Sequence, residues 1–487
     1  MMSKQSHGQR LLQGTTWMIA ARWVTRCVGL VSMLVLARLL SPEDYGLMAI
    51  ALLAYGLLET ISYAGVDLAL MRQGNDSREH FDTAWTIQLI QGGFVAALLL
   101  IAAPIAATYF AEPRAIAVIQ FMALRSIIEG AQNIGVVTFR KELNFAKEFR
   151  FALYVKLINF VVIVGAAIWF RNYWALVLGM VSASVISVCL SYLMHPYRPR
   201  LSLAAVSQIW AFSQWLIIAR VGTFLNRKAD AFIVGGVAGT SAIGNYHLAS
   251  DLATMPSTEV VMPMRRALFP NLTSLSGQPS EFSAMVLNSL SMVAALCFCL
   301  GFGLMAVATE VVQLFLGSKW ANAIPLIQWL AVFGAFSGLI LILEVPLWVS
   351  GRTNLSAVAS WGELVILVPL AWLAVHASGA EGAAMARAGV AAGMVPVMMY
   401  LSTRSGDLRF GQLVEAAWRP LVAAIAMATC LMALTLPIDM PLVLRLAIKI
   451  VLGALVYPLS LLGIWWLMGR PTGCESAAWR ELQKRIG

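Results

Sequence analysis

Long apolar runs separated by short polar connections dominate the chain. A bilayer-spanning helix needs about 20 mainly apolar residues. Runs of that kind predict fourteen spans, at residues 15–37, 43–64, 83–108, 115–137, 149–170, 173–194, 206–235, 241–263, 283–308, 321–349, 355–376, 380–401, 412–434 and 442–468. The longest connections are 65–82, 138–148, 264–282 and 195–205. The pattern therefore predicts an all-α integral membrane fold of fourteen transmembrane helices.

The first two spans are joined by a tight hairpin. Ser41 is placed to cap the second span, Pro42 suits its first helical turn, and Asp44 favours the positive end of the helix dipole. Gly46 allows close packing, and Gly65 ends the span. The hairpin therefore predicts a fixed outer corner next to the first helix.

Composition agrees with this interpretation. Apolar residues make up 60% of the 487 and charged residues 12%, against about 25% charged in an average soluble domain.

The first run contains Arg22 and Arg26 and lacks a small-residue cleavage site, so we expect it to stay as the first span. Five of the six cysteines lie inside apolar runs without metal spacing. We therefore expect no metal and no cofactor.

The placement of basic residues predicts the orientation. With the N-terminus inside, the inner segments hold nineteen Lys and Arg residues and the outer ends hold four. This asymmetry follows the positive-inside rule, with an even number of spans and both termini cytoplasmic. An anionic inner leaflet accounts for much of the net charge of +10, so a nucleic-acid partner is not needed.

A shift of 198 residues suggests an internal repeat, because it places Arg22 on Arg220 and Gly46 on Gly244. Two six-helix bundles at 1–200 and 201–405 would then be parallel repeats that can rock against each other around a central cavity. Spans 13 and 14 follow at 406–468. The tail 469–487 has the pattern of an interfacial helix, with a solvated tail as the open alternative.

Eleven basic residues fall within spans. An Arg or Lys at a span centre costs about 2.5–3.5 kcal/mol on insertion scales, which usually marks a hydrated interior or a ligand. Arg22 and Arg26 share one helix face, and Lys156 and Asn159 share another. Arginine binds phosphate through paired donors. The candidate residues of a cationic, substrate-binding cavity are Arg22, Arg26, Arg220, Lys156, Arg227, Arg125 and Arg387.

Buried acids offer a different explanation for these arginines. Asp230 follows Arg227 by three residues, so this pair could be purely structural. Candidate sites for a coupled proton or cation are Glu59, Asp251, Glu344 and Glu363. The five histidines are scattered, and no phosphate-binding glycine loop or metal motif occurs. The sequence therefore contains no enzyme constellation, and we do not expect an enzyme.

Four motifs give a family resemblance: LLSPEDYG, GVDLALMRQ, RKELNFAKEFRF and YHLASDLATMPSTEVVMPMRRALFP. Together with the span count and the six-plus-six-plus-two layout, they make the chain resemble the polysaccharide transporter family. These are Wzx-like flippases of the multidrug/oligosaccharidyl-lipid/polysaccharide exporter superfamily. The resemblance implies arginines on the first helix in a cationic cavity, with Arg265 and Arg266 where a headgroup is first met at the cytoplasmic side.

The resemblance also implies a function. The protein would move undecaprenyl-diphosphate-linked oligosaccharides across the bacterial inner membrane by alternating access, for exopolysaccharide, capsule or O-antigen synthesis. Its partners would be that lipid and the bilayer, with a polysaccharide polymerase and chain-length or export proteins as candidates. Three alternatives stay open: a proton- or sodium-coupled multidrug exporter of the same superfamily, a membrane glycosyltransferase or polymerase of the same pathway, and a non-transporting assembly subunit.

Overall fold

The structure is a computed structural model, which describes residues 24–469 except 64, 67–69, 71–76, 142–144, 276, 407 and 438. Helices make up almost all of these residues, and no β-strand occurs among them. Arg22 and the predicted tail from 470 onward lie outside the described residues.

The first part of the chain forms eight helices in the described residues. Their bounds are α1 at 24–39, α2 Pro42–Ser62, α3 Arg78–Tyr109, α4 Ala115–Gly130, α5 Thr138–Lys141, α6 Phe145–Phe170, α7 Trp174–Met194 and α8 Val206–Ala238. A 3₁₀ turn, Ile134–Val137, lies between α4 and α5.

The rest of the described chain forms seven further helices. They are α9 Thr240–Ala253, α10 Met262–Ser274, α11 Pro279–Val311, α12 Ala323–Val349, α13 Thr353–Ser402, α14 Phe410–Ala433 and α15 Leu442–Leu467. Short π-helical segments, Ser257–Val261 and Val312–Leu316, precede α10 and follow α11. Two 3₁₀ turns, Ser318–Trp320 and Thr403–Ser405, precede α12 and follow α13.

Nine helices within the described ranges are long and apolar enough to cross a membrane. One of them contains two predicted spans, because α13 has non-helical backbone angles at Ser378 and Gly379, where the sequence separates 355–376 from 380–401. The count of fourteen and the six-plus-six-plus-two layout stay predictions.

The fourth span ends earlier than expected. The prediction of one helix over 115–137 is wrong, because α4 stops at Gly130. Asn133 then leaves the helical path: its backbone N–H donates to Ser191 Oγ (3.0 Å), and its side-chain amide donates to the Tyr197 carbonyl (2.8 Å). These bonds replace the helical ones that the chain would otherwise make here.

The described residues form two compact units. The first holds the chain up to residue 225 together with 239–244, and the second holds 226–238 and everything from 245 onward. Large apolar side chains lie exposed in both, among them Trp169 (84% exposed) and Leu459 (67%). Exposed apolar side chains on long apolar helices are typical of a surface in contact with lipid. The protein is a multi-pass membrane protein.

The predicted cap of the hairpin is present. Ser41 Oγ accepts from the Asp44 backbone N–H (3.2 Å), and Asp44 Oδ2 accepts from the Ser41 backbone N–H (2.9 Å), which makes a capping box. Asp44 also accepts from the Tyr173 backbone N–H (2.8 Å), at the start of α7. The corner is therefore fixed to a second hairpin of the same unit.

The close packing expected at Gly46 is also present, and it is reciprocal. A methyl group on Gly46 would overlap the Thr240 carbonyl, and one on Gly244 would overlap the Pro42 carbonyl. Under the 198-residue shift, Pro42 corresponds to Thr240 and Gly46 corresponds to Gly244. The contact of Gly46 with Thr240 therefore corresponds to the contact of Gly244 with Pro42. The geometry of this crossing therefore supports the internal repeat.

Candidate functional site

Two cationic side chains of the first unit come together between α1 and α6. The Lys156 ammonium lies against Gly29, where an added Cβ would be 3.6 Å from Nζ. Arg26 precedes Gly29 by one helical turn, near enough for its charge to act on Lys156. Within the described chain, no acidic side chain pairs with Lys156. This pair, defined here as the cation pair, has the chemistry of an anion site.

A polar pocket lies beside the cation pair in the same unit. Its volume is about 730 Å³, and residues of α2, α3, α4, α6 and α7 line it. Asn159 lines the pocket and follows Lys156 by three residues on α6, so the two side chains lie on one side of that helix. The pocket and the cation pair are therefore about one helical turn, roughly 5 Å, apart along α6.

Glu129 organises one wall of this pocket. It accepts from Tyr55 Oη (2.6 Å), from Ser184 Oγ (2.8 Å) and from Arg125 Nε (3.0 Å). The Arg125 guanidinium also stacks over the Tyr55 ring, 4.6 Å from its centroid. Arg125, predicted as part of a cationic cavity, thus has its charge balanced by Glu129 four residues later in α4.

Glu59 lines another part of the pocket, and Arg220 lies nearby. Glu59 is exposed and lines the pocket, near enough to Arg125, Glu129 and Arg220 for their charges to act on it. Arg220 stacks on the ring of Tyr63, with 3.4 Å between Cζ and the ring centroid. Of the predicted site residues, the structure brings together Arg26 with Lys156, and Arg125 with Glu59 and Arg220.

Arg387 forms a separate buried cluster in the second unit. Its Nη1 donates to the Asn226 carbonyl (2.6 Å), and its Nε lies 3.6 Å from Asp230 Oδ2. Tyr246 Oη donates to the same Asp230 oxygen (2.6 Å). Asp230 therefore contacts Arg387 and Tyr246, and the alternative in which it pairs with Arg227 is wrong.

A second ion pair in this unit contains two further predicted residues. Arg265 Nη2 contacts Glu344 Oε2 (2.9 Å), and the guanidinium stacks on Trp348, 4.1 Å from the ring centroid. Arg227 and Glu363 lie close enough to this pair for their charges to act on it. Arg265, which was predicted to lie where a headgroup is first met, thus already has an acidic partner.

The remaining predicted residues are dispersed. Arg266 is exposed on α10, and Asp251 forms an ion pair with His247 (3.5 Å) one turn earlier on α9. Arg22 lies outside the described residues. No group of three or more His, Cys, Asp or Glu side chains able to hold a metal occurs in the described part of the chain.

Sequence reasoning missed most of the pocket. Tyr55, Gln88, Gln132 and Ser184 line it and were not singled out. Two patterns could have found it: the i,i+4 spacing of Arg125 and Glu129, and polar amides inside apolar spans. The sequence cannot show that these residues, on α2, α3, α4 and α7, share one cavity.

The comparisons with solved structures concern the fold. The chain shares its fold with solved helical membrane transporters. A solved structure of the lipid II flippase MurJ in an inward closed conformation matches with a TM-score of 0.75 at 13% identity, covering 93% of this chain and 99% of that one. An inward-facing multidrug resistance transporter of the MATE family matches with a TM-score of 0.62 at 14% identity, covering 80% and 96%. At such identities the likeness shows the fold alone.

The family itself follows from the sequence match. The family described as "Polysaccharide biosynthesis protein" matches residues 35–325, and this chain belongs to it. The lipopolysaccharide biosynthesis protein WzxC of Escherichia coli (strain K12) is 25% identical over 67% of each chain. The succinoglycan biosynthesis transport protein ExoT of Rhizobium meliloti is 23% identical over 68% of this chain and 67% of its own. The teichuronic acid biosynthesis protein TuaB of Bacillus subtilis is 22% identical over 81% and 83%. The family resemblance of the sequence is confirmed.

Proposed function

We propose that the protein is a flippase that moves lipid-linked oligosaccharides, with an undecaprenyl-diphosphate carrier, across the bacterial inner membrane for the synthesis of a surface polysaccharide. The cation pair is the observation that carries this proposal. Lys156 has no acidic partner within the described residues, and the charge of Arg26 acts on it, so an anion placed beside Lys156 would be attracted by both cations. A diphosphate has the charge and the oxygen acceptors that these donors need.

The relatives support the same substrate class. Their names concern lipopolysaccharide, succinoglycan and teichuronic acid biosynthesis, and these are chemically different polymers. A diphosphate site that is independent of the sugar fits a family with such varied products. Transport by alternating access, with both termini cytoplasmic, completes the proposal.

The test compares variants of basic residues on α1 and α6. Arg26→Ala and Lys156→Ala should each reduce translocation of the lipid-linked oligosaccharide at least tenfold in proteoliposomes, since a charge-assisted hydrogen bond contributes about 1.5–3 kcal/mol. Lys156→Arg keeps the charge and should retain most of the activity. Arg150→Ala changes an exposed basic residue on another face of α6 and is the matched control. Normal translocation by both alanine variants would contradict the proposal.

A further inference from the structure

The polar pocket of the first unit is poorly suited to the diphosphate. Among the described residues that line it, the three carboxylates of Glu59, Glu129 and Glu148 stand against the one guanidinium of Arg125, which gives these residues a formal charge of −2. Arg125 is moreover bound to Glu129. A diphosphate placed here would be repelled by like charges. The pocket therefore suits a part of the substrate other than the diphosphate.

The pocket offers hydrogen-bonding atoms of both kinds. Gln132 Nε2 donates to Ser187 Oγ (3.1 Å) and Gln88 Nε2 donates to the Glu129 carbonyl (3.0 Å), so the Oε1 atoms of these two amides are left as acceptors. Asn159 uses its Oδ1 as the acceptor for Ser182 Oγ (3.0 Å), which leaves its Nδ2 as a donor. The exposed Glu59 carboxylate adds another acceptor. A sugar hydroxyl both donates and accepts, so it can bond to each of these atoms.

The size and position of the pocket agree with the chemistry. About 730 Å³ lies within the usual range of ligand pockets, roughly 300–1,000 Å³, and exceeds the need of a water or a small cation. Asn159 stands about one helical turn from Lys156 on α6, which is close to the separation of a diphosphate from the sugar that it carries. We propose that this pocket binds the sugar residues next to the diphosphate, with Asn159, Gln88, Gln132 and Glu59 as their hydrogen-bonding partners. The inference rests on the proposed function, because it assumes a diphosphate at the cation pair.

The experiment measures dissociation constants in nanodiscs for two probes. One is undecaprenyl diphosphate without sugars, and the other is the lipid-linked oligosaccharide extracted from a strain that lacks this protein. Asn159→Leu, which is similar in size, should raise the dissociation constant of the sugar-bearing lipid about tenfold, since a lost hydrogen bond contributes about 1–1.5 kcal/mol. The same variant should change the dissociation constant of the bare lipid by no more than about twofold. Lys156→Ala should weaken both.

Two controls separate binding from folding. Ala183→Leu fills the pocket while every hydrogen bond stays in place, so it should weaken the sugar-bearing lipid alone even if Asn159→Leu fails to fold. Ala152→Leu adds the same side chain at an exposed position of α6 and should change neither constant.

Each outcome decides between possibilities. If Asn159→Leu and Ala183→Leu weaken the binding of both probes equally, or change the binding of neither, the sugar pocket is overturned. A changed pH dependence of transport in Glu59→Gln, with unchanged sugar affinity in these variants, would overturn it in favour of a proton site. If the wild-type protein binds neither lipid, the proposed function fails. Binding of the lipid-free oligosaccharide that depends on Asn159 would still support the pocket in that case.

Discussion

Glu129 joins three helices through a single carboxylate. Its bonds to Tyr55 of α2 and Ser184 of α7 are possible because Arg125, on its own helix, supplies the balancing charge. Removing one partner of such a pair leaves an uncompensated charge, which costs more than the pair itself contributes. The stability of the first unit should therefore depend strongly on this one residue.

We expect Glu129→Gln to lower the free energy of unfolding by about 2–3 kcal/mol, below the 3–5 kcal/mol of a fully buried pair because the carboxylate is 34% exposed. Ser184→Ala removes one hydrogen bond and should cost about 1 kcal/mol. Thermal unfolding in detergent measures both variants. Equal midpoints for the two would contradict the central role of Glu129.

Glu112 makes the connection between α3 and α4 sensitive to acid. Arg114 Nε and Nη2 donate to its carboxylate (2.8 and 2.9 Å), and Thr240 Oγ1 donates to it as well (3.0 Å). The hydrogen bond from Arg114 is the main reason that the pKa of Glu112 lies below its usual value of 4.5. Because the folded-state pKa is lowered, this stabilisation is present above pH 4.5 and is lost as the pH falls through the folded-state pKa. Melting midpoints from pH 7 to pH 3 should therefore fall less in Glu112→Gln than in the wild type, and parallel curves would contradict this role.

At the scale of elements, the crossing of α2 and α9 depends on two glycines. The obstacle at each is a backbone carbonyl, at Thr240 and at Pro42, so a side chain cannot be accommodated by a rotamer change. Overpacking at such a contact typically costs about 1–3 kcal/mol.

Gly46→Ala and Gly244→Ala should therefore destabilise the protein to a similar extent, because each methyl group would overlap a backbone carbonyl and the predicted repeat makes the two contacts equivalent. Gly93→Ala, in α3, is the matched control: nothing lies within 4 Å of its added methyl group, and helix propensity favours alanine by about 0.5–1 kcal/mol. Unfolding midpoints compare the three variants. Tolerance of alanine at one site and not at the other would contradict the equivalence of the two corners.

Helix α15 is attached to α11 by a buried ion pair, Lys449 Nζ to Glu310 Oε1 (2.5 Å). Glu310 Oε2 is also buried and has no hydrogen-bond partner in the described structure. Lys449→Met should therefore be destabilising, since it leaves the carboxylate without its cation. Adding Glu310→Gln should recover part of the loss, with a coupling energy of about 0.5–3 kcal/mol in a double-mutant cycle. Additive effects would show that the pair does not hold α15 in place.

The sequence predicts elements better than it predicts the site. Helix α2 begins one residue before its predicted start because Ser41, Pro42 and Asp44 define that end locally. The break at Ser378 and Gly379 likewise follows from a local loss of apolar character. The early end of α4 depends instead on Ser191 and Tyr197, about 60 residues away, and the lining of the pocket depends on contacts of the same range.

At the scale of the whole molecule, interior charges were visible in the sequence but their partners were not. Arg125 and Arg387 were grouped with Lys156 because each lies in an apolar span, and Arg265 was placed at the cytoplasmic entry. The structure separates them: the three arginines have acidic partners, and Lys156 does not within the described residues. An acid four residues away, as at Glu129, could be found from spacing, whereas Glu344 and Asp230 come from other helices.

The proposed flippase should respond to the membrane potential, because its substrate carries two negative phosphate charges out of a negative compartment. Moving one charge through 100 mV changes the free energy by about 2.3 kcal/mol, so two charges crossing the full field gain about 4–5 kcal/mol. Returning an empty cationic site costs part of this gain, which makes the figure an upper bound. Proteoliposomes with an inside-negative potassium diffusion potential should accumulate the lipid-linked oligosaccharide in the outer leaflet. Reversing the potential should reduce this accumulation, and Lys156→Arg, which keeps the charge of the site, should respond as the wild type does. Identical leaflet ratios at both polarities would show that the diphosphate does not cross the field as a net charge.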